Sequence, residues 1–159
     1  VFLAECKVCH GLTADGIDGK AANLNKRIDE VAVKHAVMNG SNNMLLGMEM
    51  PMPDRNGLFN ASTGNLISDA EIDTVAAYVA NGFTGAGADI FAGTCASCHG
   101  ADGNGMDMVA PSLKAFDTKL VTNVLNHGKK GAIGAMPAFN NLNAKQKEAV
   151  AAYISSLAK

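Results

Sequence analysis

Two five-residue segments, Cys6-Lys7-Val8-Cys9-His10 and Cys95-Ala96-Ser97-Cys98-His99, use all four cysteines of this 159-residue chain and two of its four histidines. Two thiols three positions apart, with an imidazole directly after the second, have the spacing that covalent attachment of a haem needs. The thiols reach the two vinyl groups of one macrocycle and add to them as thioethers, and a helical turn carries His10 or His99 under the iron. A bare Cys-x-x-Cys pair also suits zinc or dithiol cycling. Neither use calls for a histidine after the second cysteine in both copies, so the spacing favours two covalently attached haem c groups on Cys6, Cys9, Cys95 and Cys98.

The sixth position of each iron decides between an electron carrier and a catalyst. An open face binds small molecules, whereas a Met thioether closes it and raises the potential. Met136 lies 37 residues after His99, in Gly134-Ala135-Met136-Pro137-Ala138-Phe139, and is the candidate opposite His99. The first copy reads Met48-Glu49-Met50-Pro51-Met52-Pro53-Asp54, so three sulfurs compete for the iron of His10. Met52 is preferred because Pro53 matches Pro137, but Met50-Pro51 offers the same dipeptide, and Met48 and Met50 remain alternatives. Met38, Met44, Met106 and Met108 read as packing or loop residues. His35 and His127 would make a bis-His iron; neither repeats in the other copy, whereas the Met-Pro loop does, so both read as surface or partly packed. Behind each proximal imidazole a backbone carbonyl should hold the second ring nitrogen. Ala110-Pro111 fits that loop, and its counterpart Ala21-Ala22 lacks the stiffness of proline.

These residues must be positioned by a duplicated framework. An offset of 89 carries Cys6 onto Cys95, Phe2 onto Phe91 and Asn23-Leu24 onto Ser112-Leu113. It shrinks to 84 at Met52-Pro53 and Met136-Pro137, and to 75 at Tyr78 and Tyr153, so the first copy carries about fourteen extra residues, mostly between Ser41 and Leu66. Each copy ends in a helix announced by capping-box spacing, Ser68 with Glu71 and Asn143 with Gln146. Ile72, Val75, Ala76 and Val79, like Val150, Tyr153, Ile154 and Leu157, recur at i, i+3, i+4 and i+7 and give each helix one apolar stripe. Shorter helices are expected at Phe2–Cys9, Ile28–Met38, Asp89–Cys98 and Thr118–Asn126. No run alternates as a strand should. The glycine-rich Asn81–Gly87 marks the boundary between residues 1–83 and 88–159.

Composition agrees with small cofactor-assisted units. The chain has no Trp, two Tyr and six Phe, and halves of this size are marginal on a hydrophobic core alone. A net charge of −2, with no dense Lys/Arg cluster, excludes a phosphate-binding surface for nucleic acid. No apolar run approaches a membrane span, and the opening at Val1 leaves room for an upstream anchor. Glu5, Asp15, Asp18, Asp29 and Glu30 make the first half acidic near its cysteine motif, as a docking face for a basic donor or as a solvated surface.

Over both halves the chain resembles the class I cytochrome c family: Cys-x-x-Cys-His on an early helix, Met-Pro on a late loop, and a last helix carrying Tyr. The resemblance implies an all-α fold of two tandem domains, each wrapping one covalently bound haem c, with Phe2 near Tyr78 and Phe91 near Tyr153. The pairing of two such domains, with Gly128-Lys129-Lys130-Gly131 leading into Met136, is similar to the dihaem-subunit family of cbb-type cytochrome c oxidases. That likeness implies an electron-transfer protein rather than an enzyme, carrying single electrons from a small donor cytochrome c to membrane oxidase subunits. It also implies a periplasmic location with a tether to the inner membrane. A free-standing soluble dihaem shuttle belongs to the same class. A dihaem peroxidase or sulfur-compound oxidoreductase would need one open iron and a second catalytic constellation, and neither half shows the latter.

Overall fold

The computed structural model describes residues 1–41, 52–107 and 109–157. Eight α-helices, a 3-10 turn at Arg55–Gly57 and two ribbons order these residues: α1 Phe2–Glu5, α2 Lys7–His10, α3 Glu30–Asn39, β1 Phe59–Asn60, β2 Asn65–Leu66, α4 Asp69–Ala80, α5 Ala88–Thr94, α6 Ala96–His99, α7 Thr118–His127, β3 Lys129–Lys130, β4 Ala135–Met136 and α8 Ala144–Leu157. Met44, Met48, Met50 and Met108 lie outside the described residues.

Helix starts follow from their caps. The Asp29 carboxylate accepts from Ala32 N–H ahead of α3, and the Asp117 carboxylate accepts from Lys119 N–H ahead of α7. Both expected capping boxes form. Ser68 Oγ accepts from Glu71 N–H while the Glu71 carboxylate accepts from Ser68 N–H at 2.8 Å; Asn143 and Gln146 exchange the same pair of bonds at 3.0 and 2.9 Å. The Glu71 carboxylate also accepts from Asn60 Nδ2 at 2.8 Å and from Ser68 Oγ at 2.9 Å, and the three bonds to the carboxylate hold its pKa below the ordinary 4.5, the Ser68 backbone contributing most. A carboxylate with a depressed folded pKa stabilises the fold above its unfolded value and loses that contribution as pH falls through the folded one. The stability advantage of the native chain over Glu71→Gln is therefore expected to be full at neutral pH, to begin falling near the ordinary value of 4.5 and to be lost as the pH passes down through the lowered folded one. Thermal unfolding of both proteins across pH 3 to 7 checks it.

The all-α expectation is corrected by the two antiparallel ribbons. Phe59 and Asn60 pair with Leu66 and Asn65, and Lys129 and Lys130 pair with Met136 and Ala135. A two-residue strand is too short to display period-two alternation, so its sequence reads as loop. The second ribbon closes through Gly131 N–H donating to Gly134 C=O at 2.8 Å. The helices expected at Phe2–Cys9 and Asp89–Cys98 each break at their first cysteine, where Cys6 (φ −103°, ψ −30°) and Cys95 (φ −109°, ψ −33°) separate two short helices.

The chain forms two compact units, and they are not the sequential halves 1–83 and 88–159. One comprises Val1–Arg27 with Ala115–Lys159, the other Ile28–Lys114. In the first, Phe2 and Cys6 share a core with Val121, Leu125, Val150 and Ile154. Phe2 and Tyr153 have ring centroids 5.2 Å apart. In the second, Phe91 shares a core with Val33, Val37, Ile72, Val75 and Val79, and its ring lies 5.9 Å from that of Tyr78. The expected contacts of Phe2 with Tyr78 and of Phe91 with Tyr153 are thus exchanged. Two repeats with equivalent side chains offer either pairing the same contacts, so the connection decides. The short Asn81–Gly87 segment returns α5 directly onto α4: Phe83 N–H donates to Tyr78 C=O at 2.9 Å, and the Phe83 ring packs edge-on against both Tyr78 and Phe91 at 5.5 and 5.2 Å. Closing so short a loop costs less chain entropy than a distant pairing.

Candidate haem-attachment sites

Each Cys-x-x-Cys-His segment forms one helical turn. The Cys6 carbonyl accepts from both Cys9 N–H (3.1 Å) and His10 N–H (2.9 Å), and the Cys95 carbonyl accepts from Cys98 N–H (3.2 Å) and His99 N–H (3.0 Å). Positions i, i+3 and i+4 share one helix face, so two thiols and an imidazole are presented together, twice. The first cysteine of each pair is withdrawn from water and the second exposed. Burial raises the Cys6 thiol, with the neighbouring Glu5 charge adding to it, and burial pushes Cys95 up to about 12. A cycling dithiol needs a lowered thiol pKa, so these two cysteines are poor redox nucleophiles.

Both imidazoles are fixed from behind. His10 Nδ1 donates to the Ala22 carbonyl at 2.8 Å and His99 Nδ1 to the Pro111 carbonyl at 3.0 Å, which leaves each Nε2 as the lone-pair donor. The carbonyls are delivered by equivalent loops. Gly16 N–H donates to His10 C=O and Gly105 N–H to His99 C=O at 2.8 and 2.7 Å, and the bridges Ile17–Ala21 and Met106–Ala110 close the turns. Gly105 has φ +82°, and a Cβ there would lie 2.6 Å from Ser112 N and 2.8 Å from the Ala110 carbonyl oxygen. Gly105→Ala is expected to cost at least the roughly 1–3 kcal/mol of a strained backbone position and to displace the Pro111 carbonyl. Thermal melts, together with the reduced-state spectrum of the His99 site, check it.

The two Met-Pro loops are built alike. A Cβ on Gly40 would sit 2.6 Å from Met52 O, 3.1 Å from Asp54 N and 3.2 Å from Pro53 C; one on Gly128 would sit 2.6 Å from Met136 O, 3.0 Å from Ala138 N and 3.1 Å from Pro137 C. The residue after each glycine then bridges to the methionine, Ser41 to Met52 and Lys129 to Met136. Met52 and Met136 therefore occupy equivalent places, whatever the offset in sequence. Both are half-buried against a core, whereas Met38 and Met106 are each 43% exposed, and the Met38 sulfur accepts from Arg55. His127 is exposed, and His35 is half-buried beside Asn39.

The ligand pairs drawn from the sequence are not brought together. Met136 packs in the unit that holds Cys6 and His10, and Met52 packs in the unit that holds Cys95 and His99. The five acidic residues are also divided, Glu5, Asp15 and Asp18 belonging to one unit and Asp29 and Glu30 to the other, and Glu30 pairs with Lys34 at 2.9 Å. Two polar residues went unforeseen. Asn60, 2% exposed, ties the β1 ribbon to Glu71. Arg27 Nε donates to the Ala115 carbonyl at 3.2 Å under the Phe116 ring, and burial lowers its pKa to about 10. Neither has a counterpart in the other repeat, and repetition was the signal that found the rest.

A duplicated thiol, thiol and carbonyl-held imidazole turn, each sharing a unit with a Met-Pro loop, defines a c-type cytochrome. Residues 84–154 match the family model of cytochrome c oxidase, cbb3-type, subunit III. The second half of the chain is similar to this family. The chain is 34% identical over 165 residues to the cbb3-type cytochrome c oxidase subunit CcoP of Helicobacter pylori (strain 52), a match covering 99% of this chain and 56% of that protein. It is 31% identical to CcoP of Rhodobacter capsulatus (99% and 60%) and 32% identical to the subunit FixP of a Bradyrhizobium species (99% and 59%). The chain thus spans a little over half the length of these relatives. Among the described residues, no helix is long and apolar enough to cross a membrane.

Likeness to this family points to haem c, and the residues fit that group. Haem brings its metal in a ring of its own, so the protein has to supply two thiols for the ring and a donor for the iron. The paired thiols and an Nε2 left free by the carbonyl bond are what such a ring requires.

Proposed function

We propose that this chain carries two haem c groups and relays single electrons from a small donor cytochrome to a membrane-bound terminal oxidase of the cbb type. In this reading it is the periplasmic portion of an oxidase subunit tethered to the inner membrane, and the oxygen chemistry belongs to another chain. The observation that carries the reading is the twofold occurrence of one turn in which both thiols and the imidazole share a face and Nδ1 is already committed to a carbonyl.

Haem c supplies a one-electron iron couple. The protein's part is to hold that couple still. Cys6 with Cys9, and Cys95 with Cys98, fix the ring covalently, and His10 and His99 each present Nε2 in a single orientation. Met52 and Met136 would supply soft thioether donors to the irons, a ligand type that favours the ferrous state and would leave no open position for exogenous ligands. Apolar side chains around Phe2 and Phe91 exclude water, so little solvent has to reorganise when charge changes.

Rapid mixing of the fully oxidised protein with a reduced small cytochrome tests the proposal. Two electrons taken up per chain, at a rate that falls as salt rises, are expected. Peroxide or reduced-sulfur turnover by the protein alone would replace the relay with an enzyme reading.

A further inference from the structure

Among the described residues only two besides glycine take a left-handed backbone, Ala14 (φ +62°) and Phe83 (φ +65°). Such a conformation costs a residue that carries a Cβ roughly 1–3 kcal/mol and persists only where the surroundings enforce it. Both residues serve the same place in the fold. Ala14 lies in the loop that brings the Ala22 carbonyl to His10, and its counterpart at the offset of 89 is Gly103, in the loop that brings the Pro111 carbonyl to His99. The two loops close alike, Leu24 N–H donating to Ala14 C=O at 2.8 Å and Leu113 N–H to Gly103 C=O at 2.9 Å.

What braces that closing bond differs between the units. Ala14 is buried and supplies its own methyl group. Beside it Asn25 Nδ2 ties the loop together, donating to Thr13 C=O at 3.0 Å and to the Asp15 carboxylate at 2.8 Å. Gly103 keeps the left-handed backbone (φ +73°) without a side chain, and a Cβ built there would run into the Phe83 ring. The same ring lies under the ammonium of Lys114, the counterpart of Asn25, at 5.1 Å from its centroid, and it packs against Tyr78 and Phe91 at 5.5 and 5.2 Å. A ring from the segment that connects the two sequence repeats thus takes, in one unit, the place that a methyl group and an amide take in the other.

We propose that Phe83 is a positioning residue for the proximal ligand of the haem attached at Cys95 and Cys98: it holds the Gly103–Leu113 closure and, through it, the Pro111 carbonyl that orients His99. The inference rests on the reading that His99 ligates a haem iron. A carbonyl bond on the far nitrogen of a ligating imidazole raises its basicity as a ligand, which favours the ferric state and lowers the potential. The connecting segment therefore tunes one haem of the two, while the haem at His10, whose loop is braced from within, does not respond to it.

The test compares Phe83→Ala with the native dihaem protein by potentiometric titration and by proton NMR of the reduced state. One potential is expected to rise while the other stays, and the His99 Nδ1 proton, recognised by its cross-peaks with Pro111, should exchange faster while that of His10, beside Ala22, keeps its rate. Phe83→Tyr, which retains the ring, should behave as native. Phe83→Ala/Gly103→Ala, which gives the loop the methyl group that Ala14 supplies in the other unit, should move both readings back toward native, although Gly103→Ala alone sets a Cβ against the ring. Should Phe83→Ala fail to fold, Phe83→Leu keeps apolar bulk without the ring and carries the same comparison. A variant that melts earlier with both potentials and both exchange rates unchanged would reduce Phe83 to a packing role and overturn the proposal, as would an equal shift of both haems. A native protein lacking a haem on His99 would overturn instead the ligation reading on which it rests.

Discussion

Replacing Cys95 and Cys98 together with alanine is expected to leave one haem per chain instead of two, and to unfold the unit formed by residues 28–114. Cys95 sits against that unit's core, whose largest fully buried side chains are Phe91 and Val75. With no Trp and so few large side chains, a unit of this size draws only about 3–5 kcal/mol from its core, less than the cost of leaving a cofactor-shaped void. Amide exchange should therefore quicken throughout α3, α4 and α5 while α7 and α8 keep their protection, because these helices belong to separate units. Haem content by reduced-minus-oxidised absorbance, read beside exchange of those amides, gives both results at once. Two haems retained by the double variant would contradict covalent attachment at this motif. The reciprocal Cys6 and Cys9 replacement should spare α3–α5 and release α7 and α8.

Met136→Ala should have the next largest effect. Removing the thioether opens one iron per chain, so the reduced protein gains a carbon monoxide complex and the oxidised protein loses one far-red iron–sulfur band. The potential of that iron should fall by a substantial part of the roughly 0.8 V span over which axial ligands set haem potentials, and Met136→His should lower it while keeping the iron closed. Truncating a half-buried methionine also costs about 2 kcal/mol in packing, but a cavity alone admits no gas to an iron already closed. Met106→Ala, at a residue 43% exposed, provides the control and should change neither property.

Much of the site was legible because its chemistry repeats. The cysteine turns, the carbonyls of Ala22 and Pro111, the boxes at Ser68 and Asn143 and the stripe of Ile72, Val75, Ala76 and Val79 all follow from short-range spacing, and each is found in the structure. The preference for Met52, argued in sequence from Pro53, gains support from an independent feature, the matching cradles of Gly40 and Gly128. Duplication also hid what it helped to find. Equivalent rings at Phe2 and Phe91, and at Tyr78 and Tyr153, make both pairings of first and last helices look alike, and only the placement of Phe83 and the short connection before α5 separates them. The ribbon at Lys129–Met136 escaped notice because two residues carry no periodicity. Arg27 and Asn60 escaped because their partners, Ala115 and Glu71, lie 88 and 11 positions away with no repeat to flag them.

The proposal that the chain is a dihaem electron relay is tested most directly by visible spectroscopy of the purified protein, counting haem per chain, recording the far-red region when oxidised and adding carbon monoxide when reduced. The account predicts two covalently bound haems, an iron–sulfur band for each, and a reduced spectrum unchanged by the gas. A single haem, or a haem that binds carbon monoxide in the native protein, would contradict it and place an open iron, and therefore bond-making chemistry, in this chain.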